Sequence, residues 1–408
     1  MNIGTCLILN HPRMRIFYKR AHNFFSSAAS SFKDRIEWGN KMIKIFKTSI
    51  QIVLLMMIAV CYTNCSNSMS TDTQSPSAQG QDPVNDGSGD GDSQGGDQSL
   101  DLSFCDDKLD VASGSLCAVK PSRLDAKTKD VYGTATAQDK AFGFGYHVVA
   151  VPKSYRSDRG LWIHFTGTYG RPYDQSKTDF PTSTWLNELL EQGYVVIQIA
   201  YDNRFSINDT CMNGTGKSRN NCAGEARAEV LTGIDYTPLR TTDEYNSIEY
   251  RIEVLLTYLK SIANFPLPSN IQPQTFTWVD VKVSGHSQGG NQAYYIAKNF
   301  GVKFVCMLGS PYDVDDTVNP SVTPIADWFR VPGTATPIVN MGQFITKEDD
   351  NYSSFNQGAA YIGLVDGVQA FEASSPPYYN VKGETIDGHG ASVAEPKFKS
   401  LRASACKF

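Results

Sequence analysis

The sequence predicts an α/β fold with a mostly parallel, doubly wound sheet and a loop insertion closed by a disulfide. Apolar, β-rich runs alternate with helical patterns along residues 101–408, and this alternation is typical of parallel sheets. One strand-to-helix junction is the five-residue turn Gly285-His286-Ser287-Gln288-Gly289. A long polar segment, 201–240, interrupts the alternation and contains two cysteines. These three observations set the fold class and single out the turn as a candidate functional feature.

The predicted elements follow one another in a regular order. Runs at 142–152 and 160–166 are predicted strands, and a helix over 182–192 leads to a third strand at 194–200. Gly193 stands at the expected C-cap of that helix. Apolar residues at helical spacing predict a second helix over 245–264. Further β-rich runs predict four more strands, at 276–283, at 302–308, within 336–345 and near 379–386.

The first hundred residues do not have the composition of a core. Residues 66–100 consist mainly of Ser, Gly, Asp, Gln and Asn. A segment so poor in aliphatic side chains cannot bury enough apolar surface to offset its ordering entropy, so it is predicted to be a disordered linker. The folded domain is then expected over 101–408, a length that suits a single α/β domain.

Residues 1–65 are interpreted as a leader. Lys41, Lys44 and Lys47 precede an apolar run at 52–60, and this run is shorter than the roughly 18 residues that a membrane-spanning helix needs. A basic segment followed by a short apolar one is typical of a secretory signal peptide. The alternative is an anchoring helix that stays in the membrane. Met42, in the basic segment, is a candidate for the true start.

Two cysteines follow the apolar run, as in bacterial lipoproteins. Cys61 and Cys65 stand where a lipidated cysteine is expected, just before the polar linker. Val60 is bulkier than the residue that usually precedes such a cysteine. We therefore expect an exported protein that is periplasmic, secreted or held at the cell surface by a lipid on Cys61 or Cys65.

Six cysteines lie within 101–408, an even number that fits an oxidising compartment. Cys105 lies close to Cys117 in the sequence, and Cys211 lies close to Cys222, so each pair is predicted to form a disulfide. A metal site would need nearby histidines or paired C-x-x-C spacing, and no metal or cofactor is predicted. The net charge of −5, without a basic cluster in the folded part, argues against nucleic acid as a partner.

The turn at 285–289 has the form G-x-S-x-G, in which the flanking glycines let a strand and a helix approach closely around a strained serine. A β-branched run precedes the turn, and a helical pattern without breakers follows it at 291–298. In form and surroundings the turn resembles the nucleophile elbow of the α/β-hydrolases. The resemblance implies that Ser287 is a catalytic nucleophile.

A serine hydroxyl is a poor nucleophile near neutral pH without a base, and the base needs an acid to hold its tautomer. In α/β-hydrolases these partners follow the serine along the chain in the order acid, then histidine. His389, flanked by glycines in a predicted loop, is the one histidine after Ser287. His389 is therefore predicted to be the general base.

Several carboxylates compete for the role of the acid. Asp349 follows the strand predicted to end near Ile345, where this fold usually supplies the acid, and it is preferred. Asp350 is the next candidate. The other carboxylates are less favoured because they follow the preceding strand or resemble turn residues: Asp313, Asp315, Asp316, Asp366 and Asp387.

The negative charge of the transition state requires backbone N–H groups already in position. Gln288, directly after the nucleophile, is predicted to supply one. The loop after the strand at 160–166 is predicted to supply the other, from Thr168 or Gly167, because a glycine lets the loop turn its amides inward. The alternative is an ordinary glycine turn between a strand and a helix.

Among the α/β-hydrolases, the chain resembles a group of secreted or lipid-anchored bacterial serine esterases over nearly all of its folded part. The likeness rests on Gly167-Thr168, on the G-H-S-Q-G elbow within 283–290 and on the segment 389–393, H-G-A-S-V. A cysteine-bounded loop before the segment 227–231 also matches this group. The resemblance implies the fold and a Ser-His-Asp triad, and it implies no particular substrate.

The sequence thus predicts hydrolysis of a carboxylic ester through an acyl-enzyme on Ser287. Amide cleavage by the same residues is one alternative, and a non-catalytic binding protein on a hydrolase scaffold is another, although no triad candidate is missing. A small-molecule or lipid-like ester is the expected substrate. Aromatic residues at 169–173 and 376–379 are candidates for lining its pocket.

Overall fold

The computed structural model describes residues 102–132, 142–143, 145–156, 158–212, 220–314 and 325–408. The chain divides into two units, Met1–Asp97 and Gln98–Phe408, and every described residue lies in the second. The predicted leader, the two lipidation candidates and the linker lie outside the described residues. Within the described ranges, no helix has the length and apolar character needed to cross a membrane.

Strands and helices alternate through most of the described chain. The strands are β1 (Asp107–Val111), β2 (Gly114–Val119), β3 (Val131–Tyr132), β4 (Phe142–Gly143), β5 (His147–Pro152), β6 (Leu161–Phe165), β7 (Val195–Gln198), β8 (Lys282–His286), β9 (Phe304–Leu308), β10 (Met341–Thr346), β11 (Ala370–Ala373), β12 (Tyr378–Tyr379) and β13 (Thr385–Ile386). The α-helices are α1 (Pro121–Leu124), α2 (Ser183–Glu191), α3 (Ile207–Met212), α4 (Cys222–Thr232), α5 (Ile248–Ser261), α6 (Gln288–Phe300), α7 (Asp327–Arg330), α8 (Tyr352–Ile362), α9 (Gly388–Ala394) and α10 (Lys399–Cys406).

Nine of these strands form one sheet in the order β1-β2-β5-β7-β6-β8-β9-β10-β11. From β7 to β11 every neighbouring pair is parallel. Strand β5 runs antiparallel to both β2 and β7, and β1 is antiparallel to β2. The predicted parallel pairing of the strands on either side of α2 is confirmed. The fold is a mostly parallel, doubly wound α/β sheet, as predicted.

Both faces of the sheet are covered by apolar side chains. One cluster packs α5 and α6 against the strands and includes Leu255 and Ile296. The other packs α2 and α10 against the opposite face and includes Leu186 and Ala405. Because central parallel strands are covered on both sides, they are largely apolar, as in β9 and in β6, whose one polar residue, His164, is itself buried. The carboxyl ends of these strands meet at one edge of the sheet, where ligand sites of such folds lie.

The strand that enters the elbow is shorter than predicted. It begins only at Lys282, and the predicted strand at 276–283 instead contains a 3-10 turn at Trp278–Asp280. The hydroxyl of Thr277 donates to the Asp280 carboxylate at 2.5 Å. This local hydrogen bond closes the turn in competition with strand pairing.

The last predicted strand, 379–386, is wrong. That segment forms the hairpin of β12 and β13, outside the main sheet. The final strand of the sheet is β11, which pairs in parallel with β10. Its short sequence, A-F-E-A, is only partly buried at the sheet edge, so it lacks the apolar run that identifies a buried strand. The predicted strand at 142–152 is divided into β4 and β5, with Gly145 at a φ of 75° between them.

Both predicted disulfides are present, between Cys105 and Cys117 and between Cys211 and Cys222. The second joins the end of α3 to the start of α4, within the insertion at 201–240. A third disulfide, which was not predicted, joins Cys306 of β9 to Cys406 of α10 across a sequence separation of 100. Such cross-links stabilise a fold chiefly by restricting the unfolded chain.

His164 is a buried titratable group in β6. It has no exposed surface, and its Nδ1 lies 2.8 Å from Ser284 Oγ. Burial, with a smaller contribution from His286, lowers the pKa of His164 to about 3. In the unfolded chain an imidazole titrates near pH ~6.5, so between these two values the unfolded chain binds a proton that the folded chain does not. Acid therefore favours unfolding over this range.

We expect the free energy of unfolding to fall as the pH is lowered from about 6.5 to about 3, and His164 to contribute a slope of up to about 1.4 kcal/mol per pH unit. Replacing His164 by Asn keeps a polar atom near the position of Nδ1 and should remove this one-proton contribution. Urea unfolding at several pH values measures the slope of the free energy of unfolding against pH. The packing cost of the substitution does not depend on pH, so it does not alter this slope. Equal slopes in the two proteins would contradict a neutral, buried His164.

Candidate active site

Ser287 occupies a strained turn between β8 and α6, with φ 57° and ψ −126°. A residue with a Cβ adopts such a conformation only where its surroundings enforce it. A Cβ on Gly285 would collide with the backbone of Gly289, and a Cβ on Gly289 would collide with the backbone of Phe165. The two glycines therefore allow β8, α6 and β6 to meet around the serine.

The backbone of Ser287 is held by its neighbours. Its N–H donates to the carbonyl of Leu308, at the end of β9, over 2.9 Å. Its carbonyl accepts from the N–H groups of Gly290 and Asn291, at 2.9 and 3.1 Å, in the first turn of α6. The N–H of Gln288, at the first helical position, has no acceptor within the helix. It can therefore donate to a negatively charged oxygen beside the serine.

His389 lies in the first turn of α9 and not in a loop as predicted. Asp387 caps this helix, because its Oδ1 accepts from the N–H of Gly390 at 2.6 Å. The Nδ1 of His389 lies 2.6 Å from Oδ2 of Asp349. Since a carboxylate only accepts hydrogen bonds, Nδ1 carries the proton, and Nε2 of the neutral ring has the lone pair that can accept another.

Asp349 is a buried carboxylate that accepts hydrogen bonds from two residues, His389 and Asn351. Its side chain accepts from His389 and from the backbone N–H of Asn351, the latter at 2.8 Å. Burial alone would raise the pKa of Asp349, but these hydrogen bonds and the neighbouring imidazole outweigh it, and the pKa is lowered below its ordinary value. Asp349 is therefore ionised at neutral pH.

Phe355 and Gly309 pack against the ring of His389. Phe355 stacks on it, with the ring centroids 5.9 Å apart. Gly309 has a φ of 53°, and a Cβ there would lie 3.2 Å from Cε1 and 3.3 Å from Nδ1 of the imidazole. Gly309 is not among the predicted site residues, although a glycine directly after a buried strand is a signal for such close approach.

His286, the variable position of the elbow motif, directly precedes Ser287 and contacts His389. Its Nε2 lies 3.0 Å from the carbonyl oxygen of His389, and because a carbonyl only accepts, Nε2–H is the donor. Burial, followed by the charge of His389, lowers the pKa of His286 to about 3, so this histidine is neutral at physiological pH. Sequence spacing does not reveal the contact, because 103 residues separate the two histidines.

The predicted oxyanion loop lies against Ser287. A Cβ on Gly167 would lie 3.0 Å from the Cβ of Ser287 and 3.2 Å from the carbonyl oxygen of His286. The N–H of the next residue, Thr168, donates to no acceptor in the described part of the chain. The structure thus places Gly167, and with it the next residue Thr168, beside the turn that contains Ser287 and Gln288.

The other candidate acids lie in different surroundings. Asp313 is buried and pairs with the buried Arg227, whose Nη2 donates to its Oδ1 at 2.6 Å. Asp350, the second choice, is exposed. Of the remaining candidates, Asp366 is exposed and Asp387 caps α9, while Asp315 and Asp316 lie outside the described residues.

Ser287 and His389 approach the same stretch of backbone. The N–H of Ser287 donates to Leu308, and the ring of His389 packs on the next residue, Gly309. Within the described residues the imidazole is hydrogen-bonded to Asp349 and not to Ser287 Oγ. Catalytic hydrogen bonds of this kind often shorten only when a substrate binds.

The aromatic residues predicted to line a pocket differ in exposure. Tyr173 and Tyr378 are buried, and their hydroxyls donate to Asp107 and Glu348. Tyr169 is 63% exposed and directly follows Thr168. Tyr169 is therefore the most exposed tyrosine of these segments.

No protein-family model matches the chain, and no curated protein matches it in sequence. Among solved structures, the chain is similar to an S-formylglutathione hydrolase from Agrobacterium tumefaciens, at 14% identity and a TM-score of 0.37, over 73% of this chain and 97% of that one. It is similar to a truncated carbohydrate esterase from gut microbiota, at 12% identity and a TM-score of 0.33, over 69% and 99% of the two chains. It is also similar to esterase B from Lactobacillus rhamnosis, at 14% identity and a TM-score of 0.31, over 63% and 80%. The strand order, the reversed β5 and the strained elbow of this chain itself make its fold one of the α/β-hydrolase type.

Proposed function

We propose that this protein is a serine hydrolase that cleaves a carboxylic ester through an acyl-enzyme on Ser287. The observation that carries the proposal is the pair of Asp349 and His389, joined at 2.6 Å, beside a serine in a strained strand-to-helix turn. An acid, an imidazole and a serine in this relation are the groups that activate a hydroxyl as a nucleophile. A merely structural serine would not require the strained backbone.

The first half of the reaction forms the acyl-enzyme. Nε2 of His389 takes the proton of the Ser287 hydroxyl as Oγ attacks the carbonyl carbon of the ester. The carbonyl π electrons move to the oxygen, whose charge is stabilised by the N–H of Gln288 and by that of Thr168 or Gly167. When the intermediate collapses, the alkoxy group leaves and takes the proton from Nε2, so that an alcohol is released and the acyl group stays on Oγ.

The second half releases the acid. Nε2 of His389 takes a proton from water, and the resulting hydroxide oxygen attacks the acyl carbon. The bond to Oγ then breaks, and Ser287 recovers its proton from Nε2. Asp349, whose pKa is lowered, remains ionised and stabilises the imidazolium that forms in each half.

The proposed substrate is a small-molecule or lipid-like ester outside the cytoplasm. Support for export comes from the signal-like composition of residues 1–65 and from the three disulfides, since disulfides persist in oxidising compartments. We also propose that a lipid on Cys61 or Cys65 attaches the domain to a membrane, with residues 66–100 as the tether.

A fluorophosphonate probe tests the proposed function, because it reacts with a serine that has been activated as a nucleophile. We expect the purified chain to be labelled on Ser287, as located by peptide mass spectrometry, and the heat-denatured chain to remain unlabelled. p-Nitrophenyl esters of increasing acyl length, compared with matching p-nitroanilides, then separate ester from amide cleavage. Natively folded protein that resists the probe would overturn the proposal in favour of a binding role.

A further inference from the structure

Asn203 lies in the loop that follows β7, and it is 1% exposed. Strands β6 and β7 are parallel neighbours, so the loops after their carboxyl ends meet at the same edge of the sheet. The loop after β6 carries Gly167 and Thr168, the candidates for the second oxyanion donor. Asn203 is therefore placed to act on that loop.

The side chain of Asn203 binds the β6 loop at three points. Its Nδ2 lies 3.0 Å from Thr166 Oγ1, 2.5 Å from the carbonyl oxygen of Gly167 and 2.7 Å from that of Gly170. Its backbone carbonyl accepts from the N–H of Tyr169 at 2.9 Å. Two of the three side-chain partners are carbonyl oxygens, which only accept, so the NH₂ end of the amide must face the loop.

The other end of the amide is not used in the same way. Oδ1 of Asn203 is buried and has no hydrogen-bonding partner among the described residues. A buried acceptor without a partner is unfavourable. The hydrogen bonding of Oδ1 therefore does not explain the position of this side chain. The arrangement favours the contacts of Nδ2 with the loop.

The geometry of one peptide group shows the effect of these contacts. In a trans peptide, the C=O of one residue and the N–H of the next point in opposite directions. The carbonyl of Gly167 accepts from Asn203 at 2.5 Å and from the N–H of Gly170 at 3.0 Å. Because this carbonyl faces Asn203, the N–H of Thr168 points away from Asn203. Gly167 faces the nucleophile, since a Cβ on it would lie 3.0 Å from the Cβ of Ser287.

We propose that Asn203 is a positioning residue that fixes this peptide so that the N–H of Thr168 is the second oxyanion donor. The inference rests on the proposed ester hydrolysis. It assigns the second oxyanion donor to Thr168 and not to Gly167. Asn203 does not touch the reacting atoms and acts only through the loop. Tyr201 supports the same loop, because its hydroxyl donates to the carbonyl of Thr166 at 2.6 Å.

The substitution Asn203→Asp tests this role. It keeps the shape of the side chain but replaces both donors by an oxygen that repels the carbonyls of Gly167 and Gly170. We expect kcat per active site to fall by about 10²- to 10³-fold, the loss typical of one oxyanion donor, with little change in KM. The affinity for a trifluoromethyl ketone, whose adduct with serine carries an oxyanion, should fall by the same factor. Phosphonate titration run to completion counts the active sites, so unfolded protein does not lower kcat.

Asn246→Asp is the matched control. Asn246 is also fully buried, but its side chain is bonded to Asp243, Lys129 and Arg251. This variant should lower the melting temperature and leave kcat per active site unchanged. An Asn203→Asp protein with kcat per titrated site within about threefold of the wild type would overturn the proposal, because loss of a donor costs far more.

A second measurement separates this inference from the proposed function. If the wild-type chain is not labelled by the fluorophosphonate, ester hydrolysis fails, and the role of Asn203 is then decided by amide hydrogen exchange over residues 166–170. Faster exchange in Asn203→Asp than in Asn246→Asp supports fixation of the loop by Asn203. Equal exchange in the two variants overturns it.

Discussion

Ser287→Ala is expected to reduce kcat for ester hydrolysis by about 10⁵- to 10⁶-fold, because a triad without its nucleophile retains only the contributions of the oxyanion hole and of substrate binding. The backbone of the turn is held by the hydrogen bond from the Ser287 N–H to Leu308, which the substitution leaves in place. The fold and the melting temperature should therefore be unchanged. Steady-state kinetics on a p-nitrophenyl ester, with circular dichroism of the same samples, measures both quantities.

Variants of the triad and of an exposed serine serve as controls for Ser287→Ala. His389→Ala should cost nearly as much, and the double variant little more than either single one, because the groups act as a unit. Ser404→Ala changes an exposed serine on α10 and should behave as the wild type. Full esterase activity in a folded Ser287→Ala protein would end the proposal.

Asp349→Asn is expected to lower kcat by about 10⁴-fold. The carboxylate accepts from Nδ1 of His389, whereas an asparagine amide can donate to that nitrogen. The proton of the neutral ring then lies on Nε2, which can no longer accept one from Ser287. The measurement is kcat near pH 8, compared with the fluorophosphonate labelling rate, and both should fall together.

Asp350→Asn is the matched control, because it makes the same chemical change at the neighbouring, exposed position. It should leave kcat essentially unchanged. An inactive Asp350→Asn protein beside an active Asp349→Asn protein would reverse our assignment of the acid. An active Asp349→Asn protein beside an inactive Asp313→Asn protein would instead move the acid to the loop after β9.

Periodicity accounts for most of the fold. The helix Ile248–Ser261 and the strand Phe304–Leu308 lie inside their predicted ranges, because apolar spacing is a strong signal in elements that pack against the core. Two segments show how this signal fails. At 276–280 a hydrogen bond between two side chains overrides a β-branched pattern, and at Ala370–Ala373 the edge position removes the apolar signal.

Some residues of the candidate site could be predicted from the sequence, and others could not. The three proposed triad members could be named because the elbow motif and the order of partners along the chain restrict the choice. His286, Gly309 and Asn203 could not, because they act through contacts between distant segments. The His286 contact spans 103 residues, and the contact of Asn203 with Gly167 spans 36. Such contacts depend on which strands are neighbours in the sheet, and no local pattern encodes that.

The buried pair of Arg227 and Asp313 limits how the insertion at 201–240 can be engineered. Arg227 belongs to the insertion at 201–240, and its Nη1 also donates to the carbonyl of Gln288 at 3.2 Å. Replacing the insertion with a foreign one would remove the cation that pairs with Asp313 and leave the buried charge only the neutral donors Asn291 and Trp328, at a cost of about 3–5 kcal/mol. The insertion is therefore not an exchangeable module. A chimera that exchanges the insertion has to carry both members of the pair, or neither.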